Sequence, residues 1–443
     1  LRLDEAQHEF SRDGRVNGAA SSAQHLKPRR HCVRISGGHH RFAPRPWRRK
    51  WIEAGASREG ESKEKRADAA AEKQSHAPYL HAHASLTNLP QRHLPTGLAL
   101  VHNAAMARPG ERNSLTDVEG LSVGCAEDQG VRTGVTVIVP DRRAVCAVDV
   151  RGGGPGTRET DALAAENLVD AIDALVLAGG SVYGLGAADG VTAAMGAEGR
   201  GFALIDMPGV PRSPVIPAAI LYDLANGGDK AWGGAPPYAA LGKQAYSARS
   251  REVKLGNAGA GFGARAGMLK GGQGAASIVT DDGFTVAALA CVNCWGSTTM
   301  PGSRAFWAHP FEIDGEFGGV KPAPDLSVGA EDWSGAKFNP QPRANTTIAC
   351  VAVDADLTPA EAKRVAQMAS AGLARAIRPV FAPFDGDVVF ALATAAKPAP
   401  EPRALAVARF GALAADCLTR AVARGVFAAE TLGDAQSWRD WRG

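Results

Sequence analysis

The sharpest change of pattern along the chain follows residue 345. From Thr346 to Asp354 the sequence TTIACVAVD is nearly continuous in apolar and β-branched residues, which predicts a buried strand. Thr358–Pro359–Ala360–Glu361 then reads as a capping box with proline at the first helical position. The period switches to that of a helix, with Val365, Ala366, Ala369, Leu373 and Ile377 on one face. DGDVVFALAT (385–394) predicts a strand entered from an acidic turn, and ALAVARFGALAADCLTRAV a second amphipathic helix with Val407, Phe410, Leu413 and Cys417 along one stripe.

Upstream, GVTVIVP (134–140) and AVCAVDV (144–150) predict two strands across a short turn. RETDALAAENLVDAI reads as a helix, DALVLAGG as a buried strand, GLGAADGVTAAMGA as a helix and AAILYDL (218–224) as a short strand. DGFTVAALACVNCWG predicts a strand-pair element ending at Asn293 and Gly296. Residues 300–343, rich in Pro, Gly and Trp, predict a long exposed loop leading into Asn345. This alternation fits an α/β protein with helices packed outside stacked sheets, and leaves strand order open.

Composition changes this picture at the N-terminus. The net charge of +3 over 443 residues divides into +8 for residues 1–105 and −5 for the remainder. Ten of the eleven histidines precede residue 103, and every methionine lies at or after Met106. Residues 1–105 therefore read as a basic disordered extension, or as sequence upstream of a true start near Met106; a nucleic-acid-binding arm is the sharper alternative. The rest divides into 106–345 and 346–443 if the chain is cut before Thr346. No apolar run reaches membrane-spanning length. Seven cysteines without regular spacing do not suggest a disulfide framework, and the cytoplasm is the expected compartment.

GNAGAGFGARAGMLKGG (256–272) lacks dinucleotide-binding spacing and reads as close-packed backbone beside an active site. Cys291 and Cys294 form a single CxxC with no second ligand pair. Ser334–Gly335–Ala336–Lys337 matches SxxK without its companion motifs. After residue 105 the only histidine is His309, so a Ser-His-Asp triad has one base candidate, in a Pro-flanked loop. A nucleophilic hydrolase short of histidine needs another base. The α-amine of an N-terminal threonine, with a pKa of about 7.7–8, is one. Asn345–Thr346 at the mouth of a strand offers the bond to break. The plain alternative is a turn-favouring Asn followed by strand-favouring Thr. Asp385 and Asp387 either orient that amine and hydroxyl or form a solvated turn.

From about Asn113 onward the chain resembles the self-processing aminopeptidases of the L-aminopeptidase/D-esterase type, a family that includes β-peptidyl aminopeptidases and 6-aminohexanoate-oligomer hydrolases. NSLTDVEGLSVG, RGGGPGTRETDAL, LVLAGGSVYGLGAADGV, PVIPAAILYDL, GNAGAGFGA, CVNCWG, ANTTIACVAVDADLT and DGDVVFALAT carry the likeness, in order. The resemblance implies a four-layer αββα sandwich and autocleavage between Asn345 and Thr346. It implies Thr346 as nucleophile, Asn293 as oxyanion donor, Tyr222 as an active-site tyrosine, Asp385 and Asp387 as partners of the nucleophile, and Lys270 as the family lysine. Gly186 stands where many relatives carry an acidic residue, a departure from strict aminopeptidase character.

The expected function is hydrolysis of peptide or amino-acid-oligomer amides without a metal or organic cofactor. Alternatives are a self-cleaving acyltransferase of the ornithine acetyltransferase kind and a nucleic-acid binder acting through the basic arm. Expected partners are a small peptide or amide substrate, the chain's own cleaved piece, and further copies in a tetramer of cleaved heterodimers; neither a membrane nor nucleic acid is expected. Because the compositional break sets residues 1–105 apart, their removal should leave folding and amide hydrolysis intact. Melting temperature and turnover of the chain beginning at Met106 check this; aggregation or loss of activity would overturn it.

Overall fold

Two five-stranded sheets dominate the computed structural model, which describes residues 108–338 and 345–442. The first sheet contains β1 (Leu121–Asp128), β2 (Thr133–Pro140), β4 (Thr157–Arg158), β5 (Leu175–Ala178) and β6 (Ala218–Ile220), in the order β1-β2-β5-β6-β4. The second contains β3 (Val145–Val150), β9 (Gly272–Val279), β10 (Thr285–Asn293), β11 (Thr346–Ala355) and β12 (Val388–Lys397), in the order β3-β12-β11-β10-β9. A two-stranded ribbon, β7 (Arg265–Ala266) and β8 (Leu269–Lys270), lies apart. The helices are α1 (Ala187–Ala197), α2 (Tyr238–Ser247), α3 (Pro359–Ala369), α4 (Ala371–Ala376) and α5 (Arg403–Ala428).

Three apolar layers hold this arrangement and explain the strand sequences. Alternate residues of β11 point opposite ways. Ile348 and Cys350 meet Ile138, Leu175 and Leu177 between the sheets, while Ala349, Val351 and Val353 meet Val365, Phe410 and Leu418 of the outer helices. With both faces covered there is no polar face to alternate, hence the continuous apolar run. A third layer packs α1 and α2 on the first sheet through Val191, Met195, Tyr238 and Leu241. The result is a four-layer αββα sandwich. Gly274 of β9 shows how closely α5 lies: a Cβ there would come within 2.0 Å of Ala421 O. The glycine-rich stretch before β9 is buried and tightly packed, as its composition suggests.

The predicted strands at 134–140 and 144–150 form, but not as a pair. β2 and β3 belong to different sheets, and the Asp141–Arg143 turn carries the chain between layers. The helix expected in RETDALAAENLVDAI is reduced to a 3-10 turn at Asp161–Leu163: Arg158 is drawn into β4 by pairing with Ala218, and Leu168 is fully exposed. Propensity without an apolar face to bury does not sustain a helix. The strand-pair element is one strand, β10, with separate partners on each side. The helix after Thr358 has its capping box, then breaks at Ser370, whose hydroxyl bonds Asp149 Oδ2 at 2.7 Å. The loop expected to be exposed from residue 300 is irregular but not all exposed. Phe306 and Phe317 are buried against each other, and Phe306 stacks on Trp438. Residues 339–344, like the N-terminal extension, lie outside the described residues. Among the described residues no helix is long and apolar enough to cross a membrane.

One buried ionic cluster joins segments on both sides of residue 345. Arg420 of α5, 1% exposed, pairs Glu316 through Nε at 2.5 Å and donates to Asn113 Oδ1 at 2.9 Å. Arg424 reaches Glu316 at 3.3 Å and the Asn113 carbonyl at 2.6 Å. Removing one partner of a buried pair leaves charge uncompensated, at about 3–5 kcal/mol. Glu316→Gln is therefore expected to lower unfolding free energy by about that amount. A urea titration measures this, and a midpoint shift equivalent to less than about 1 kcal/mol would contradict it.

Candidate functional site

Strand direction gathers the predicted site residues. β10 and β3 are antiparallel to β11 and β12 respectively, and β11 and β12 are parallel. The last residues of β10 and β3 therefore meet the first residues of β11 and β12 at one end of the second sheet. The register is Asn293 opposite Thr346 and Val150 opposite Val388.

The acidic turn before β12 is buried at this end, not solvated. Asp385 accepts from Ala382 N–H at 2.9 Å and Trp295 N–H at 3.3 Å. Asp387 accepts from Thr347 N–H at 2.6 Å and Phe381 N–H at 3.2 Å. Burial pushes both carboxyl groups up, Asp387 to about 7, where the charge of Asp385 adds to the effect. Backbone N–H groups of Arg151, Gly152 and Gly154 bond the carbonyls of Asp387 and Asp385 at 2.7–3.2 Å. A Cβ on Gly152 would approach Asp387 N to 2.3 Å, so the RGGG sequence after β3 is what lets this loop close over the turn.

The Asn345–Thr346 peptide lies on the same turn. Asn345 bridges Asp385 as a parallel pair, and the Gly386 N–H donates to Asn345 O at 2.8 Å. The Thr346 hydroxyl donates to that same carbonyl oxygen. Gly386 is needed here, since a Cβ would stand 2.7 Å from Thr346 Oγ1. Asn345 is buried, and among the described residues its side-chain oxygen and nitrogen have no hydrogen-bond partner. An unsatisfied buried amide costs about 1–3 kcal/mol.

Asn293 links the two sheets. Its Nδ2 donates to Tyr222 O at 3.0 Å, and its Oδ1 accepts from Arg265 N–H at 2.9 Å. Tyr222, just past β6, is thus joined to the cluster through its backbone. Lys270 is buried one layer away, donating to the Gly271 and Gly261 carbonyls at 2.6 and 3.2 Å; burial lowers it to about 7. Its strand partner Arg265, rather than its ammonium, touches Asn293. A second lysine was not anticipated: Lys337 Nζ lies 3.1 Å from Asn293 O and 3.4 Å from Asn293 Oδ1. The SxxK pattern marked the residue for a different reason, and Ser334 bonds Asp332, not Lys337. Cys291 faces the inter-sheet core and Cys294 the helix side, so the CxxC thiols are on opposite faces of the sheet. Gly186 has open space around its Cβ position.

A hydroxyl beside a buried carbonyl, an N–H donor on that carbonyl and two buried carboxyl groups form an arrangement suited to acyl transfer. Residues 113–438 match the model of peptidase family S58. The chain belongs to that family. An uncharacterized aminopeptidase of Mycobacterium bovis is 43% identical over 348 residues, covering 74% of this chain and 97% of the relative. A 6-aminohexanoate-oligomer endohydrolase of Kocuria is 30% identical, covering 63% and 74%. Two solved structures share the fold. A Burkholderia β-aminopeptidase has TM-score 0.53 and 24% identity, covering 73% of this chain and 89% of that one. The L-aminopeptidase D-Ala-esterase/amidase of Ochrobactrum anthropi, described as a variant of the Ntn hydrolase fold, has TM-score 0.52 and 22% identity, covering 73% and 88%.

In this S58 peptidase the raised Asp387 has a consequence for stability. Folding lifts its pKa from 3.8 to about 7. Between those values the unfolded chain has released a proton that the folded chain keeps. The contribution to stability is fully present below about pH 4 and is lost as the pH rises through about 7. Asp387→Asn should flatten that fall. Urea midpoints of the intact single chain across this range test it, and an unchanged slope would assign the fall to other groups.

Proposed function

We propose that the chain is an N-terminal-nucleophile hydrolase that cuts itself between Asn345 and Thr346 and then hydrolyses amide bonds of small peptides or amino-acid oligomers. The observation that carries this reading is the Asn345 carbonyl oxygen, which accepts both the Thr346 hydroxyl and the Gly386 N–H beside the buried carboxyl pair. In self-cleavage Thr346 Oγ1 bonds to the Asn345 carbonyl carbon, with Gly386 N–H stabilising the oxyanion. The Thr346 nitrogen then leaves, taking the proton that Oγ1 gave up. Water hydrolyses the resulting ester and leaves Thr346 with a free α-amine.

In turnover that amine takes the hydroxyl proton as Oγ1 attacks a substrate carbonyl. Asp387, already bonded to Thr347 N–H, and Asp385 orient the new terminus. Asn293, opposite Thr346 in register, donates to the substrate oxyanion, with Tyr222 alongside. An acyl-threonine ester forms, the amine product leaves, and water releases the acid. Groups of the chain and water suffice for each step. The names of the relatives, an aminopeptidase and an oligomer endohydrolase, support small amide substrates.

The six described cysteines are free thiols, which suits the cytoplasm. The exposed apolar run of Phe202, Leu204, Ile205, Met207 and Val210 supports assembly with further copies, a tetramer of cleaved heterodimers.

The purified protein is expected as two pieces, the second beginning Thr346–Thr347–Ile348, by N-terminal sequencing and intact mass. Thr346→Ala should remain one chain without amide hydrolysis. Active protein with a single N-terminus would sink the proposal. Transfer of the acyl group to an added amine in preference to water would make it an acyltransferase. Asp385→Ala and Asp387→Ala should each slow cleavage and turnover by about 100-fold or more. Near-wild-type rates in both would return the turn to a structural role.

A further inference from the structure

Lys337 sits in a loop that is fastened without help from the cleavage segment. Its N–H donates to Trp295 O at 3.0 Å, Trp295 Nε1 donates back to Lys337 O at 2.9 Å, and Met268 N–H donates to Gly335 O at 3.1 Å. The side chain is half-buried and its ammonium points at Asn293. Two donors, Lys337 Nζ and Arg265 N–H, thus converge on Asn293 Oδ1. Neither an ammonium nor a peptide N–H can accept a hydrogen bond. A flipped carboxamide would aim its NH2 at both of them, so the oxygen is pinned and the nitrogen is kept on the side of Tyr222 O.

We infer that Lys337 is the positioning residue for Asn293: its ammonium fixes the carboxamide so that a donor, not an acceptor, is presented to the oxyanion formed at Thr346. This rests on the hydrolase reading above. It adds a residue from the loop before the cut that stays with the site afterwards, because its anchors are Trp295 and Met268. The charged and titratable groups around the ammonium are Cys294, Asp385, Arg265 and Asp387, and burial lowers it to about 8. Deprotonation would leave a lone pair competing for Asn293, so activity should fall on the alkaline side as Lys337 titrates.

The test compares Lys337→Met, Lys337→Arg, Asn293→Ala and the double variant Asn293→Ala/Lys337→Met. The kcat and KM for a peptide or 6-aminohexanoate-oligomer amide are normalised to cleaved protein and measured from pH 6 to 10, with melting temperature as folding control. Lys337→Met should lower kcat about 100-fold with little change in KM, the scale of a misplaced donor. Lys337→Arg should recover much of the rate and move the alkaline limb upward, since guanidinium stays charged. In the Asn293→Ala background the methionine substitution should have almost no further effect. Unchanged kcat and alkaline limb in Lys337→Met, or full additivity with Asn293→Ala, would overturn the inference. If Lys337→Met does not fold, an unshifted limb in Lys337→Arg overturns it equally. Activity surviving in Thr346→Ala, assayed in parallel, would instead overturn the hydrolase reading.

Discussion

The site depends on burying two carboxyl groups in one three-residue turn. Asp385 and Asp387 cannot both be charged cheaply inside the protein, and the raised value of Asp387 expresses that cost. The turn survives because backbone N–H groups from Ala382, Phe381, Thr347 and Trp295 each meet one carboxylate oxygen. Those donors come from segments far apart in sequence. Holding the turn therefore fixes the starts of β11 and β12, the end of β10 and the loop after β3 relative to one another. The Asn345–Thr346 peptide lies across that junction, and its geometry is inherited from the turn.

The second sheet can supply this junction because it is packed on both faces. β11 packs Ile348 and Cys350 on one side and Val351 and Val353 on the other, so apolar layers hold it from both faces. The small residues of β9 allow α5 to lie almost on the sheet. That brings Arg420 and Arg424 to Glu316 and Asn113. Packing and site are coupled: the helix that closes the outer layer also ties the chain after residue 345 to the chain before it.

Much of this was legible in sequence. The apolar run after Thr346, the capping box at Thr358 and the stripes of the C-terminal helices follow from period alone, since their partners are local or their burial is uniform. RETDALAAENLVDAI misled because helix propensity is local, while the pairing of Arg158 with Ala218 is not. The 134–150 region misled because adjacency in sequence suggests a hairpin, and only the layer architecture reveals that β2 and β3 part. Among site residues, the order of Asn293, Thr346 and the DGD turn could be read from the family likeness. The burial of the turn could not, as Asp and Gly ordinarily mark solvent. Lys337 was invisible as a partner of Asn293 because a Pro- and Gly-rich loop has no period from which to place a side chain.

The proposed cut also changes the electrostatics that the fold has to bear. Before it, the buried carboxyl pair has half-buried Lys337 nearby as a cation. After it, the new α-ammonium of Thr346 appears beside the carboxylate that already holds Thr347 N–H. The new carboxylate of Asn345 appears beside Asp385, its bridge partner. The first change stabilises a charged Asp387; the second repels the released tail. Asn345, whose amide has no hydrogen-bond partner among the described residues, then has two reasons to leave: an unsatisfied side chain and a like-charge neighbour. In the proposed cut one arrangement thus drives its own opening and leaves behind the nucleophile and the base that turnover needs.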